Sequence, residues 1–337
     1  MEEKERQSIM TGFAYSPEEY GLAELSGIKI SELYSDVRLQ VETSRRVNEI
    51  IAEALDMPLA PPALVVGHVK SAEYMGCKVF QPEDDEPFVK SPVLSDIGEV
   101  AAFQCLDPCD NPVARNYLQT CKEFYDLTGE KQSIQFIGPF TTAAFMRGQT
   151  DFLTDWVLSP ELAQALMVLV TQAIADWKKY HDAEMGIDGE GAAELIDDSI
   201  TLVSPSDFEQ RVLPSLKHWF EMFPADERHF HCCGDISSHL QALSKLGMTH
   251  YMLMGEMIHA DEAKTVLGDI EISQLLDFRI LRDGKGDDIR RHIQDLLAHA
   301  PRDSNYCLAV EGARGLSLET VCLVKDIVME SNSDLEM

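Results

Sequence analysis

One short cluster in the sequence has residue types suited to metal chemistry, His231-Cys232-Cys233-Gly234. His231 and Cys233 are two apart, so on a β-strand both side chains leave the same face. An imidazole and a thiolate are donors that Zn²⁺ accepts, but three or four protein ligands are needed to hold the ion. The pair supplies only two, and other segments must supply the rest. Glu256 lies 23 residues beyond Cys233, a spacing that suits the end of a neighbouring strand. Cys307 offers a softer donor, whereas Glu311 lies nearer the end of the last strand-like run. The sequence leaves these two as alternatives. Standing alone, His-x-Cys also suits packing, since a buried Cys behaves as a small hydrophobe.

Asp197-Asp198 is the second candidate. Adjacent carboxylates at a strand end can recognise a cation or exchange a proton, and Asp198 is the residue taken as catalytic. Asp198-Ser199 could equally cap the next turn. Cys105-x-x-x-Cys109 lies in a turn-like segment with no nearby His or second Cys pair, and these two, like Cys77, Cys121 and Cys322, read as ordinary thiols.

These residues need elements to carry them. Short apolar runs fall at 63–67, 133–137, 192–196, 228–232, 250–254, 270–272 and 306–310, with a further one near Val79. Helical periodicity fills the gaps, most clearly at 159–185, 205–222, 235–246, 286–299 and 316–331. Strand-like runs each followed by a helix predict a (β/α)₈ barrel over residues 60–337. Residues 1–59 predict a helical extension packed on that barrel: Ser16-Pro17-Glu18-Glu19 is a helix-start signal, and 36–55 is amphipathic. The acidic patch Glu83-Asp84-Asp85-Glu86 before Pro87 reads as a solvated loop. Barrel enzymes carry their reactive groups at the C-terminal ends of the strands. Read in order, those ends are His68, Gly138-Pro139, Asp197-Asp198, His231 to Gly234, Glu256 and Glu311-Gly312.

Composition narrows the functions open to such a barrel. With 28 Lys+Arg against 58 Asp+Glu, the 337-residue chain carries a formal charge of −30. Nucleic acid and anionic membrane surface are therefore poor partners, because binding them requires basic side chains to displace counterions. No apolar tract reaches the ~20 residues needed to span a bilayer, and the first residues lack a secretory pattern. The expected setting is the cytoplasm, with the cysteines reduced.

Several segments together resemble the uroporphyrinogen decarboxylase superfamily. They are Gly138-Pro-Phe-Thr-Thr-Ala-Ala-Phe-Met-Arg-Gly148, Ser159-Pro-Glu-Leu-Ala-Gln-Ala-Leu, Asp197-Asp-Ser with Ser204-Pro-Ser-Asp-Phe-Glu-Gln-Arg-Val-Leu-Pro214, His231-Cys-Cys-Gly234, and Asp261-Glu-Ala-Lys-Thr-Val-Leu-Gly268. The resemblance spans roughly residues 60–330. It implies a TIM barrel. Nothing before residue 60 resembles the Arg-x-x-Gly-Arg-type segment by which the decarboxylases grip porphyrinogen carboxylates. His231-x-Cys233-Gly234 is instead similar to the zinc ligands of the cobamide-dependent branch, the methylcobamide:coenzyme M-like methyltransferases. That branch takes a third ligand from a Gly-Cys pair after the last strand, where this chain reads Val310-Glu311-Gly312-Ala313. The cobalamin-independent methionine synthases, a related family, use His-x-Cys with a Glu at the next strand end and a later Cys. That likeness implies Glu256, and Cys307 or Glu311, as further ligands.

The resemblance thus implies zinc-assisted transfer of a methyl group between a small molecule, either a thiol acceptor or a methylated donor, and the cobalt of a corrinoid (cobalamin) on a partner protein. His231, Cys233, Glu256 and Cys307 would hold the metal, and Asp198 would orient substrate or move a proton. Two alternatives stay open: a metal-free decarboxylase-like activity, and a non-catalytic barrel that binds a corrinoid protein or a small ligand.

Overall fold

The structure is a computed structural model that describes residues 12–134, 137–254, 257–301 and 306–335. Its strands are β1 (Gly12–Ser16), β2 (Lys78–Phe80), β3 (Phe88–Ser91), β4 (Glu190–Ile196), β5 (Ala225–His231), β6 (His250–Met254), β7 (Glu271–Leu275) and β8 (Tyr306–Glu311). Six of them form one all-parallel sheet in the order β1-β8-β7-β6-β5-β4. Ile137 continues it through a parallel bridge to Ile196. Alternate residues explain how the sheet curls into a barrel. Phe230, Tyr251, Leu253, Ile272, Leu308 and Val310 face the outer helices and are buried. The residues between them, including His231, Met252, Ser273 and Glu311, face inward.

The runs from 192 onward are strands, as their apolar pattern predicts, and the helices Pro160–Met185, Gly286–Ala298 and Leu318–Leu335 fall where expected. The segment expected at 205–222 is helical but carries a π-helical turn at Phe208–Val212, between Pro205–Asp207 and Leu213–Met222. Pro214 explains it, because proline has no N–H to give the preceding turn.

Four expectations need correction. Residues 12–59 are not helical throughout: the helices Glu18–Ser26, Ile30–Ser35 and Val37–Leu55 are present, but β1 precedes them and joins the sheet beside β8. Ser16 is accordingly the end of a strand and not a helix cap, and its hydroxyl donates to Glu18 Oε1 at 2.6 Å. The run near Val79 is a strand, but β2 pairs antiparallel with β3 in a separate hairpin.

The run at 63–67 is extended without a strand ladder. Pro61 and Pro62 just before it cannot donate to one. Its backbone is instead served by buried side chains one turn apart on the helix Val37–Leu55. Gln40 accepts from Val65 N–H and donates to its carbonyl, both at 2.9 Å. Ser44 accepts from Ala63 N–H at 3.1 Å, and Asn48 donates to the carbonyls of Ala60 and Pro61. Residues 60–68 thus close the wall between β1 and Ile137 around a cleft of ≈ 320 Å³.

Candidate metal site at the barrel mouth

His231 is the last residue of β5, Asp197 and Asp198 follow β4 directly, and Glu311 ends β8. All lie at the C-terminal mouth. His231 Nε2 is in hydrogen-bond contact with Cys233 Sγ at 2.8 Å, and the Cys233 N–H donates to the Asp198 carboxylate at 2.6 Å. One ligand atom each from Asp198, His231 and Cys233 lie within 4.8 Å of one another. His231 Nδ1 is buried with no hydrogen-bond partner among the described residues. Burial holds the imidazole below its ordinary titration range, which leaves a neutral ring with a lone pair for a ligand. Desolvation, then the charges of Asp198 and Glu311, hold the Cys233 thiol well above its ordinary range. A divalent cation among these groups would relieve that penalty, and a nitrogen, sulfur and oxygen donor set fits zinc.

The two aspartates divide their work. Asp197 is fully buried and accepts from the backbone N–H groups of Phe140 and Thr141 and from the Thr141 hydroxyl, at 3.0, 2.9 and 2.6 Å. It therefore caps the helix Pro139–Arg147 from a distant strand. Gly138 makes room for this, since a Cβ there would lie 2.5 Å from the Asp197 carboxylate. Desolvation raises Asp197 to about 7. Asp198 is the one that reaches the mouth.

A second arc of charge closes the opposite side. Glu18, Glu19 and His68 line the cleft, and His68 lies 3.7 Å from Glu86. Tyr34 donates to Glu19 at 2.6 Å. Desolvation, with the charges of Glu18, Glu19 and Asp198, raises Glu311 to about 7, against the opposing effect of His68. Glu18 is held at φ 44, a left-handed conformation that non-glycine residues rarely adopt. The acidic patch is not wholly solvated: Glu86 is partly buried at the mouth, Tyr20 donates to Asp85 at 2.5 Å, and Lys29 and Arg314 tie down Glu83 and Asp84. Glu18, Glu19 and Glu86 were missed in the sequence because a helix start and a loop supply them. No local spacing marks them as partners.

Of the expected metal set, the structure brings His231 and Cys233 together and adds Asp198. Glu256 lies outside the described residues. Cys307 is not at the mouth: it stands four residues below Glu311, against Gly12, and burial with the Glu271 charge raises its thiol to about 11. Of the two alternatives on β8, Glu311 has the depth of the site. Gly312 after it is required by packing, because a Cβ there would lie 1.8 Å from the Pro17 carbonyl oxygen. All eight cysteines are free thiols. No helix among the described residues is long and apolar enough to cross a membrane.

Comparison with known proteins gives the fold its class. Residues 14–312 match the family model "Uroporphyrinogen decarboxylase (URO-D)", and the chain belongs to that family. Among solved structures it is similar to a methyltransferase from Methanosarcina mazei, at TM-score 0.70 and 17% identity over 96% of this chain and 94% of that one. A B12-independent methionine synthase from Shewanella sp. W3-18-1, solved in complex with selenomethionine, aligns at TM-score 0.48 and 11% identity, covering 91% and 89% of the two chains. No curated protein matches the sequence. The architecture is thus the α/β TIM barrel of the uroporphyrinogen decarboxylase family.

Proposed function

We propose that this chain is a zinc-dependent methyltransferase that moves a methyl group between a small molecule and the cobalt of a corrinoid on a separate protein. The observation that carries the reading is the meeting of His231, Cys233 and Asp198 at the C-terminal mouth of this family's barrel. His231, Cys233 and Asp198 would hold the ion, with Glu256 and Glu311 as candidates for a remaining position. Bound zinc supplies Lewis acidity, holding a thiol as thiolate or stabilising an oxygen leaving group.

The chain's own groups do the rest. Asp198 fixes the Cys233 backbone through its 2.6 Å hydrogen bond and so sets the direction of Sγ. In the metal-free protein burial raises Glu311 to about 7, and where it is not itself a ligand its carboxylate is placed to accept the proton that a thiol or hydroxyl loses. Glu18, Glu19 and Glu86 make the mouth repel anions. This favours a neutral or cationic small molecule and weighs against decarboxylation of a polycarboxylate. The test is a corrinoid absorbance assay, with methylcobalamin plus a thiol panel, or Co(I) corrinoid plus methylated donors. The expected change requires Cys233, and undiminished turnover in Cys233→Ser would overturn the reading.

A further inference from the structure

The inward face of the barrel carries a second group of metal donors away from the mouth. One hydrogen-bonding row of the sheet runs Glu194, His229, His250, Glu271 across β4, β5, β6 and β7. Register partners in a parallel sheet point to the same side, so an acid, two imidazoles and an acid stand in a line. On β5, His229 is one inward position below His231, and Glu227 is one below that, toward the N-terminal end of the barrel. His229 Nε2 lies 3.3 Å from Glu227, and His250 Nε2 lies 3.2 Å from Glu271. The two rings stack with centroids 4.2 Å apart and planes at 23°.

The His250 ring is held in place from its other side. Thr249 Oγ1 accepts from the Arg228 N–H at 2.7 Å, donates to the Arg228 carbonyl at 3.4 Å, and contacts His250 Nδ1 at 2.8 Å. The contact at Nδ1 fixes the His250 ring with Nε2 facing the Glu271 carboxylate. A metal-binding histidine is oriented in this way, by a hydrogen bond at its other nitrogen.

We propose that Glu227, His229 and His250, with Glu271 beside them, form a second divalent-metal site at the N-terminal end of the barrel, selective for borderline ions such as Zn²⁺ or Ni²⁺. One ligand atom each from Glu227, His229 and His250 already lie within 4.8 Å of one another. A tetrahedral ion with ~2.0–2.1 Å bonds sets its donors ~3.3–3.5 Å apart, so the side chains would reorient and close around it. The donors are nitrogen and oxygen, which suit zinc and nickel over the harder Mg²⁺ and Ca²⁺. The ion would offset two carboxylates in a chain of charge −30. The site shares no residue with the mouth, so it stands whether or not the methyltransferase reading does.

The test uses the full chain carrying His231→Ala and Cys233→Ser, stripped of metal and titrated with Zn²⁺ by calorimetry. One equivalent should bind, and adding His250→Gln or His229→Gln should abolish it. In wild type, saturating Zn²⁺ should also protect both histidines from diethyl pyrocarbonate at least tenfold, read by peptide mass spectrometry without any substitution at this site. No stoichiometric zinc in the His231→Ala/Cys233→Ser protein, zinc retained after His250→Gln, or unprotected His229 and His250 would each overturn the proposal.

Discussion

Replacing Glu311 by Gln should stabilise the metal-free protein, and only at neutral to alkaline pH. Glu311 ends β8 among Glu18, Glu19 and Asp198, and desolvation leads the causes that raise its titration from 4.5 to about 7. A raised carboxylate favours folding below its unfolded pKa and loses that contribution as pH rises through the folded value. Moving the titration this far puts the penalty on the ionised form at ~3 kcal/mol, and solvent screening at the open mouth trims it to ~2 kcal/mol. For a domain of this size that corresponds to roughly 4 °C in Tm. Thermal unfolding in chelator should therefore show Glu311→Gln and wild type nearly superimposed at about pH 4.5. A gap should open between about pH 5 and 7 and reach its full size by about pH 8. Asp197 is also raised to about 7, so the difference between the two proteins, and not either curve alone, isolates Glu311. A gap independent of pH, or a wild type more stable at pH 8, would refute the placement of Glu311 in this charged pocket.

The scaffold makes further predictions. Asp197→Ala strands the N–H groups of Phe140 and Thr141 and the Thr141 hydroxyl, and should cost ~3 kcal/mol in urea unfolding. Asp197→Asn, which keeps one acceptor oxygen, should cost less. Gly312→Ala forces a Cβ onto the Pro17 carbonyl and should lower stability by ~2–4 kcal/mol, read as a fall in Tm and in soluble yield. Gln40→Leu removes both partners of the Val65 peptide. It should cost ~2–3 kcal/mol and speed hydrogen exchange at Val65 selectively over β5 and β6.

How much of this is legible in the sequence depends on how local the signal is. β6 runs apolar over five residues, and the close spacing of His231 and Cys233 is enough to bring their side chains into contact at the end of β5. β1 was missed because Gly12, Ala14 and Ser16, which face inward, are small or polar, and only Phe13 and Tyr15 pack against the core. The segment at 63–67 looks like a strand, but the prolines before it move its hydrogen bonding onto Gln40, Ser44 and Asn48. That exchange between a helix and an extended segment leaves no periodicity to read. The mouth is legible on one side only. His231, Cys233 and Asp198 come from consecutive strands, whereas Glu18, Glu86 and Glu311 meet from a helix start, a hairpin loop and the last strand. Cys307 has the chemistry of a ligand, but it stands near the start of β8 beside Gly12, four residues before Glu311.

Cys233, with His231, is proposed to hold a metal at the mouth. Substituting Co²⁺ into metal-stripped protein and recording its ultraviolet–visible spectrum tests it directly, because thiolate-to-cobalt charge transfer appears only where sulfur is a ligand, and the second proposed site has none. A charge-transfer band lost in Cys233→Ser and His231→Ala and unchanged in Cys307→Ser is expected. No such band in folded wild type, or a band lost on replacing Cys307 and retained without Cys233, would contradict it.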